Sequence, residues 1–280
     1  MLEIKLGLIG VGIGKSRAPE LHRLAGRLCE LAVTYDLIEP PVGVPYAFDE
    51  ALQACRGQGY RGVNVTYPFK EQAAAAVQAA SDQVRRLGAV NTVRFDDPQP
   101  RGFNTDYTGF RRAFSSRFAG RSPAAVAIVG AGGVGRAIAF ALLDLHAREI
   151  RLFDHDAHKS AAVATALREQ TKTRVLTCRS LEEATRGAEG LVNATPLGMH
   201  QHPGTPIPSS LIDAQSWAFD AIYTPTDTRF LLDCRAAGIE ILYGYELFFY
   251  QGVDAFEIFT GIGVDEVRLR EALKLPQNKR

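Results

Sequence analysis

The stretch Ala125-Val-Ala-Ile-Val-Gly130-Ala131-Gly132-Gly133-Val134-Gly135, continued by Arg136-Ala-Ile-Ala-Phe-Ala-Leu142, constrains this chain most. An apolar run enters a glycine cluster and an alanine-rich helical pattern leaves it, so the segment reads as strand, tight turn and helix. Gly130, Gly132 and Gly135 fit the spacing G-x-G-x-x-G. In that setting the first glycine lets the chain turn sharply. The second lets the backbone approach a pyrophosphate, and the third lets the helix pack closely on the strand. The helix N-terminus then offers its N–H groups and the positive end of its dipole to phosphates. The same spacing also suits a plain strand–helix connection. The legible strand and helix on either side favour a dinucleotide site, with residues 130–135 as its loop.

At 280 residues the chain is long enough for two modest domains, each with its own core. A hydrophobic fraction of 46% with 22% charged residues indicates an ordinary globular protein. The formal net charge of +1 offers no electrostatic footprint for nucleic acid or an anionic membrane, so neither is expected as a partner. No apolar run approaches the roughly 20 residues of a membrane span. The opening Met-Leu-Glu-Ile-Lys lacks the charged and then apolar regions of a secretory signal. Cys29, Cys55, Cys178 and Cys234 are scattered without C-x-x-C, as expected of reduced thiols in the cytoplasm. His200-x-His202 lacks an evident third ligand, and no metal is expected.

Along the chain, patterns for strands at 4–9, 33–38, 60–66 and 89–95 alternate with patterns for helices at 20–31, 48–56 and 70–80. That alternation implies a mainly parallel α/β layer structure. A junction at 102–110 leads into a helix at 108–118 and then into the glycine stretch. Beyond it, strands are expected at 150–154, 190–195, 217–222 and 239–243, with helices at 159–171, 247–259 and 264–274. The expected fold is α/β with two domains. Residues 1–104, completed by helices within 247–280, form a substrate domain, and residues 105–246 form a doubly wound (Rossmann) dinucleotide domain. A cleft between two such domains is a favoured place for a small-molecule site.

Asp154 ends the strand that follows the fingerprint helix. A carboxylate there accepts hydrogen bonds from the adenine-ribose diol and repels a 2′-phosphate, which favours NAD over NADP. His155 and His158 soften that negative charge, so NADP is disfavoured rather than excluded. Elsewhere, Lys70 opens a helix after Asn64-Val-Thr66-Tyr-Pro-Phe69, and Asp106 sits in Asn104-Thr-Asp106. A lysine and an aspartate facing one hydroxyl would suit proton transfer coupled to hydride loss. Spacing alone does not show that they meet, and a surface lysine with a helix-capping aspartate fits equally well.

The motifs resemble those of the shikimate dehydrogenase family, including its NAD-preferring quinate/shikimate branch. The matches run in order through nearly the whole chain. They are Ser16-Arg-Ala-Pro19-x-x-His22, Gly62-Val-Asn64-Val-Thr66-Tyr-Pro68-Phe-Lys70-Glu71 and Gly88-Ala-Val-Asn91-Thr92. Then come Asn104-Thr-Asp106-x-x-Gly109-Phe110, the glycine stretch, Asn193-Ala-Thr195-Pro-Leu197-Gly-Met199, Asp220-Ala-Ile222-Tyr223-x-Pro225 and Gln251-Gly-x-x-Ala255-Phe256. The resemblance implies that Lys70 and Asp106 are the catalytic pair. It implies that Ser16, Thr66, Asn91, Tyr223 and Gln251 contact the hydroxyls and carboxylate of a small polyhydroxylated ring acid. Thr195, Leu197, Met199, Ile222 and Gly244 would wall the nicotinamide and its ribose. Asn64 is expected to support the strand-end turn, and Phe248, Phe249 and Phe256 read as core. Thr66 and Asn91 also fit plain strand-end turns, Gln251 a solvated helix face and Met199 loop packing.

Two departures qualify the substrate. Family members usually carry a second hydroxyl two residues after the first, where this chain has Ala18. Losing a hydrogen bond to a charged group costs about 1.5–3 kcal/mol. Arg17 is a possible stand-in, and an aminoshikimate or another ring acid a possible substrate. Asp154 stands in place of the Asn-Arg-Thr pattern of the NADP-using branch. The implied activity is reversible oxidation of a ring hydroxyl of shikimate or quinate to the 3-dehydro acid, by a monomer or homodimer. A metabolite-binding regulator without turnover is the alternative on the same fold.

Overall fold

The computed structural model describes residues 3–41, 46–96 and 98–275. Asp97, within the turn expected after the fourth strand, and residues 276–280 of the C-terminal segment lie outside the described residues. The chain divides into two compact units, Met1–Thr105 with Phe249–Lys279, and Asp106–Phe248.

Unit 1 begins with β1 (Glu3–Ile9), α1 (Ala18–Leu28), β2 (Ala32–Ile38), α2 (Phe48–Gly57) and β3 (Gly62–Val65). It continues through α3 (Lys70–Ala76), β4 (Gln78–Ala79), α4 (Asp82–Leu87), β5 (Thr92–Arg94) and β6 (Arg101–Phe103). Its six strands lie in the order β2-β1-β3-β5-β6-β4. β1 runs parallel to β2 and β3, and β4 parallel to β6, while β5 is antiparallel to both its neighbours. Ile9, Phe48, Leu52, Val63, Val65, Phe69 and Val93 form a core on one side of this sheet. Pro19 in the first turn of α1 suits a helix start, because its missing N–H has no helical partner there anyway.

The next elements are α5 (Thr105–Arg117), β7 (Ala125–Val129), α6 (Gly133–Asp144), β8 (Glu149–Phe153), α7 (Ala157–Arg168) and β9 (Arg174–Thr177). α8 (Leu181–Thr185), β10 (Gly190–Asn193), β11 (Trp217–Asp220), α9 (Arg229–Ala236) and β12 (Glu240–Leu242) follow, then α10 (Gly244–Thr260) and α11 (Glu266–Ala272). The second sheet is wholly parallel in the order β12-β11-β10-β7-β8-β9. That is a doubly wound sheet whose order reverses at β7 and β10, the position where such sheets bind ligands beyond their carboxyl ends. Every residue of β7 is buried, as a central strand covered on both faces requires.

Three expectations shift. The helix expected over 70–80 ends at Ala76, because Val77 turns extended and Gln78–Ala79 pair with Arg101–Gly102. The helix expected from 108 begins at Thr105, whose backbone N–H is taken by the Asn91 side chain at 2.7 Å. The edge strand β9 and helices α4, α8 and α9 add elements with no counterpart in the patterns above.

Candidate active site

In unit 1, Thr66 and Asn91 stand beside the ends of β3 and β5, and Lys70 at the start of α3. Lys70 is the first residue of α3 and is buried. Its carbonyl accepts the Val90 N–H at 2.8 Å, which ties the helix start to the residue preceding Asn91. Thr66 follows β3, with its N–H on the Ile9 carbonyl at 2.9 Å. Asp106, also buried, stands in the first turn of α5 directly after Thr105.

A buried amide–hydroxyl network holds this cluster. Asn91 Oδ1 accepts from the Thr105 N–H and from the Thr92 hydroxyl at 3.0 Å, while Asn91 Nδ2 donates to Thr105 Oγ1 at 3.0 Å. Asn64 Nδ2 donates to Thr92 Oγ1 at 3.0 Å and to the Asn91 carbonyl at 3.3 Å. The Tyr35 hydroxyl donates to Asn64 Oδ1 at 2.8 Å. Thr105 Oγ1 reaches Gln251 Oε1 on α10 at 3.5 Å. So Asn91 and Gln251 meet through Thr105, and Asn64 supports the strand ends as expected. Sequence reading missed the parts played by Thr105, Thr92 and Tyr35. Thr92 and Thr105 do lie within the quoted motifs, whereas Tyr35 carries no local signal.

His22 lies behind this network, stacked on Tyr35 with ring centroids 4.8 Å apart. Burial pushes its pKa down to about 3, against a raising hydrogen bond with Asn64, so the ring is neutral at physiological pH. Ser16 occupies the loop before α1, where its hydroxyl accepts the Ala18 N–H at 3.2 Å. Arg17, the stand-in suggested for the missing hydroxyl at 18, already has protein partners. Its Nη2 donates to the Leu273 carbonyl at 2.8 Å and its Nε pairs with Glu20 at 2.9 Å. A groove of about 500 Å³ beside α3 and α4, lined by Ala74, Val77, Val84 and Arg85 among others, contains none of the expected site residues.

In unit 2 the glycine loop joins β7 to α6. Gly130 has φ of +100°, and a Cβ there would lie 2.7 Å from the Ala194 carbonyl oxygen. A Cβ on Gly135 would lie 2.0 Å from the Gly130 carbonyl oxygen, so the helix sits against the turn as the fingerprint requires. Nothing stands within 4 Å of a Cβ on Gly132, which leaves the middle of the loop open to a phosphate. Gly133 and Val134 begin the 12-residue α6, and Ala131 within the loop is buried. Asp154 follows β8. Its Oδ2 accepts the Ala131 N–H at 2.7 Å and its Oδ1 the Asp156 N–H at 2.9 Å, so the carboxylate borders the loop. These residues fit a dinucleotide with a free ribose diol.

Thr195, Leu197 and Met199 lie on the turn after β10, Ile222 and Tyr223 on the turn after β11, and Gly244 at the start of α10. The Tyr223 ring stacks on Phe248 at 4.8 Å, which places Phe248 as packing for an expected substrate contact. Among the described residues, no group of three His, Cys, Asp or Glu side chains is placed to hold a metal ion.

Residues 8–93 match the family model described as the shikimate dehydrogenase substrate binding domain. The NAD(+)-dependent quinate/shikimate dehydrogenase of Corynebacterium efficiens is 37% identical over 273 residues, covering 95% of this chain and 96% of that protein. The chain belongs to the shikimate dehydrogenase family. An NADP(+)-dependent shikimate dehydrogenase of Pseudarthrobacter chlorophenolicus is also 37% identical, over 95% of this chain and 92% of that protein. Among solved structures, quinate dehydrogenase from Corynebacterium glutamicum in complex with NAD matches with a TM-score of 0.89 and 34% identity, over 98% of this chain and 99% of that one. Both cofactor types thus occur among relatives of equal identity to this dehydrogenase, and the residue at the end of β8 gains weight accordingly.

Proposed function

We propose that this chain is an NAD-dependent dehydrogenase that reversibly oxidises a ring hydroxyl of shikimate or quinate to the 3-dehydro acid. The observation that carries the cofactor choice is the Asp154 carboxylate beside the glycine loop. An acid there accepts from the ribose diol and repels a 2′-phosphate. Gly130, Gly132, Gly133 and Gly135 with the N-terminus of α6 hold the pyrophosphate. Thr195, Leu197, Met199, Ile222 and Gly244 shape the nicotinamide face. A nicotinamide held there would supply the acceptor for the hydride of the ring carbon.

Lys70 takes the hydroxyl proton as the carbonyl forms and returns it in the reverse direction. Asp106 hydrogen-bonds the same hydroxyl and fixes its orientation. Ser16, Thr66, Asn91, Tyr223 and Gln251 read the remaining hydroxyls and the carboxylate. Asn91 can do so because Thr105 and Thr92 orient its amide and Thr105 uses one of its two N–H donors. A site that pairs each substrate hydroxyl rejects analogues lacking one, since its own buried groups are then left unpaired. The protein works in the cytoplasm as a monomer or homodimer. Its four unpaired thiols suit a reducing compartment, and no helix among the described residues is long and apolar enough to cross a membrane.

Ala18 favours a second reading of the substrate, with the same chemistry on a ring acid that demands one fewer contact at its carboxylate end. Steady-state kinetics with shikimate and quinate, each with NAD and NADP, tests both readings. The expected result is a higher kcat/KM with NAD for at least one of the two acids. A higher value with NADP overturns the use made of Asp154. NAD binding without turnover of either acid transfers the argument to the second reading.

A further inference from the structure

Two turns of unit 2 carry the residues assigned above to the nicotinamide face, one after β10 and one after β11. Those strands are parallel neighbours, with Asn193 directly opposite Asp220 at their carboxyl ends. Both side chains are fully buried. Asp220 Oδ1 accepts from Asn193 Nδ2 at 2.9 Å and from the Ile222 N–H at 3.0 Å. Its Oδ2 accepts the Thr228 hydroxyl at 2.6 Å. Asn193 spends its other groups on the turn that follows it. Nδ2 also donates to the Leu197 carbonyl at 3.1 Å, and Oδ1 accepts the Thr195 N–H at 2.9 Å and the Thr195 hydroxyl at 2.7 Å. That uses the whole hydrogen-bonding capacity of an amide side chain.

The path continues at both ends. The Thr195 hydroxyl accepts the Leu197 N–H at 3.2 Å. Thr228, at the N-cap of α9, accepts the Leu231 N–H at 3.3 Å. Packing follows the same line. A Cβ on Gly198 would lie 3.1 Å from Ile222 Cδ1 and 3.3 Å from Thr228 Cγ2. One on Gly244 would lie 2.4 Å from the Ile222 carbonyl oxygen, so α10 closes the other side.

We propose that Asp220 is a positioning residue for the nicotinamide face, a buried latch that joins the turn after β10, the turn after β11 and the start of α9 into one piece. It touches no cofactor itself and acts through Asn193, Ile222 and Thr228. The proposal rests on the assignment of Thr195, Leu197, Met199 and Ile222 to that face. The physical reason for a carboxylate lies in its acceptor count. An apolar residue at 220 would leave the Ile222 N–H, one Asn193 N–H and the Thr228 O–H without this acceptor in a dry interior. A neutral amide at 220 would set its own NH2 against one of the three donors. Burial pushes the Asp220 pKa up to about 6, and the bonds from Thr228, Ile222 and Asn193 pull the other way. Three donors point at its two oxygens, an arrangement that the ionised form, an acceptor only, satisfies in full. Hydride transfer is steeply sensitive to placement, with a misplacement of about 1 Å able to cost about 10²-fold, so a rigid face has a direct kinetic return.

The test uses the full-length protein and the variants Asp220→Asn, Thr228→Val, Thr228→Ser and Leu197→Ala. Each is titrated with NADH and, separately, with ADP-ribose, which lacks the nicotinamide. Turnover is measured well below each variant's melting midpoint. The expected result for Asp220→Asn and Thr228→Val is a selective loss, with NADH affinity down about fivefold or more and kcat down about tenfold or more. ADP-ribose affinity and the KM for the ring acid stay within roughly twofold of the parent, and Thr228→Ser restores both losses because it keeps the hydroxyl. If Asp220→Asn does not fold, the Thr228 pair decides alone. Lower melting temperatures with unchanged NADH affinity and kcat would reduce Asp220 to a stability element and overturn the proposal. Equal loss of NADH and ADP-ribose binding would overturn it too, since the whole cofactor unit would then be disturbed. Leu197→Ala separates the two layers. If it changes neither NADH binding nor kcat, the face assignment fails and the latch with it. If it changes them while the Asp220 and Thr228 variants do not, only the latch fails.

Discussion

Asp154→Asn tests cofactor choice and loop geometry in one substitution. The native carboxylate accepts the Ala131 N–H with one oxygen and the Asp156 N–H with the other, at 2.7 and 2.9 Å. An amide of the same shape keeps one acceptor and turns a donor toward the second N–H. Losing a charge-assisted bond of this kind costs about 1.5–3 kcal/mol. The ribose diol loses a charged acceptor at the same time, for a similar amount, so kcat/KM for NAD should fall about tenfold to 10²-fold. NADP moves the other way. Two negative charges about 5 Å apart repel by about 3 kcal/mol at an effective dielectric of about 20, and the substitution removes that repulsion. The NAD-to-NADP preference, measured as the ratio of kcat/KM values with one ring acid, should therefore collapse by about 10²-fold or more. The apo protein should also melt at a lower temperature, because the loop latch is weakened without any cofactor present. An unchanged preference would show that Asp154 does not face the ribose. A changed preference with an unchanged apo melting curve would refute the latch to Ala131 and Asp156.

Three further outcomes follow from the same structure. Lys70→Ala or Asp106→Asn should lower kcat by about 10²-fold or more, the scale of general acid–base catalysis, with NADH affinity retained, and near-normal turnover in both variants would remove the assignment. Gly135→Ala places a Cβ 2.0 Å from the Gly130 carbonyl oxygen, so the loop must move. Titration should show NAD affinity down about tenfold or more, alongside the roughly 1–3 kcal/mol of destabilisation typical of overpacking. His22 makes unit 1 acid-sensitive. Its folded pKa, at about 3, lies below the ordinary 6.5, so its contribution is complete above pH 6.5 and is lost as pH falls toward 3. The loss runs at about 1.4 kcal/mol per pH unit, or about 2 kcal/mol by pH 5. Asp220, raised to about 6, has the opposite dependence between pH 4 and 6, so the whole-protein pH curve hides both. Amide exchange in β1 and β2, compared between the parent and His22→Phe at each pH, isolates the histidine, and parallel behaviour of the two proteins down to pH 5 would contradict it.

Legibility in the sequence tracked how local each interaction is. β7, the glycine turn and α6 carry their whole explanation within one stretch: an all-apolar central strand, a turn that only glycine fits, and a helix of small residues. Asp154 was visible for the same reason, since its place at the end of β8 follows from the register of one βαβ unit. α3 was overrun by four residues because Gln78 and Ala79 pair with Arg101 and Gly102, a contact that no pattern within 70–80 announces. β9 has little sequence signal, as a four-residue edge strand in which only Val175 is buried. For Asn91 the family resemblance implies a substrate contact, while its bonds to Thr105 and Thr92 join segments 14 residues apart and have no local signature. Asp220 stood inside a recognised motif, yet only the opposition of β10 and β11 shows that its partner is Asn193.

The two polar frames solve one problem with different chemistry. In unit 1 the strand ends are held by neutral groups, the amides of Asn64 and Asn91 and the hydroxyls of Tyr35, Thr92 and Thr105. In unit 2 they are held by a carboxyl group surrounded by neutral donors. The difference suits what each end faces under the proposed reaction. A ring acid brings its own negative charge, and a buried carboxylate among the supports of its site would oppose that charge in a low dielectric. A frame of amides and hydroxyls holds the strand ends without adding charge. Oxidised nicotinamide is cationic, so a buried carboxylate among the supports of its proposed face is electrostatically compatible, and its two oxygens accept the three hydrogen bonds that two turns and a helix start offer. Charge at the site is thereby left to Lys70 and Asp106, the residues assigned to move and hold the proton.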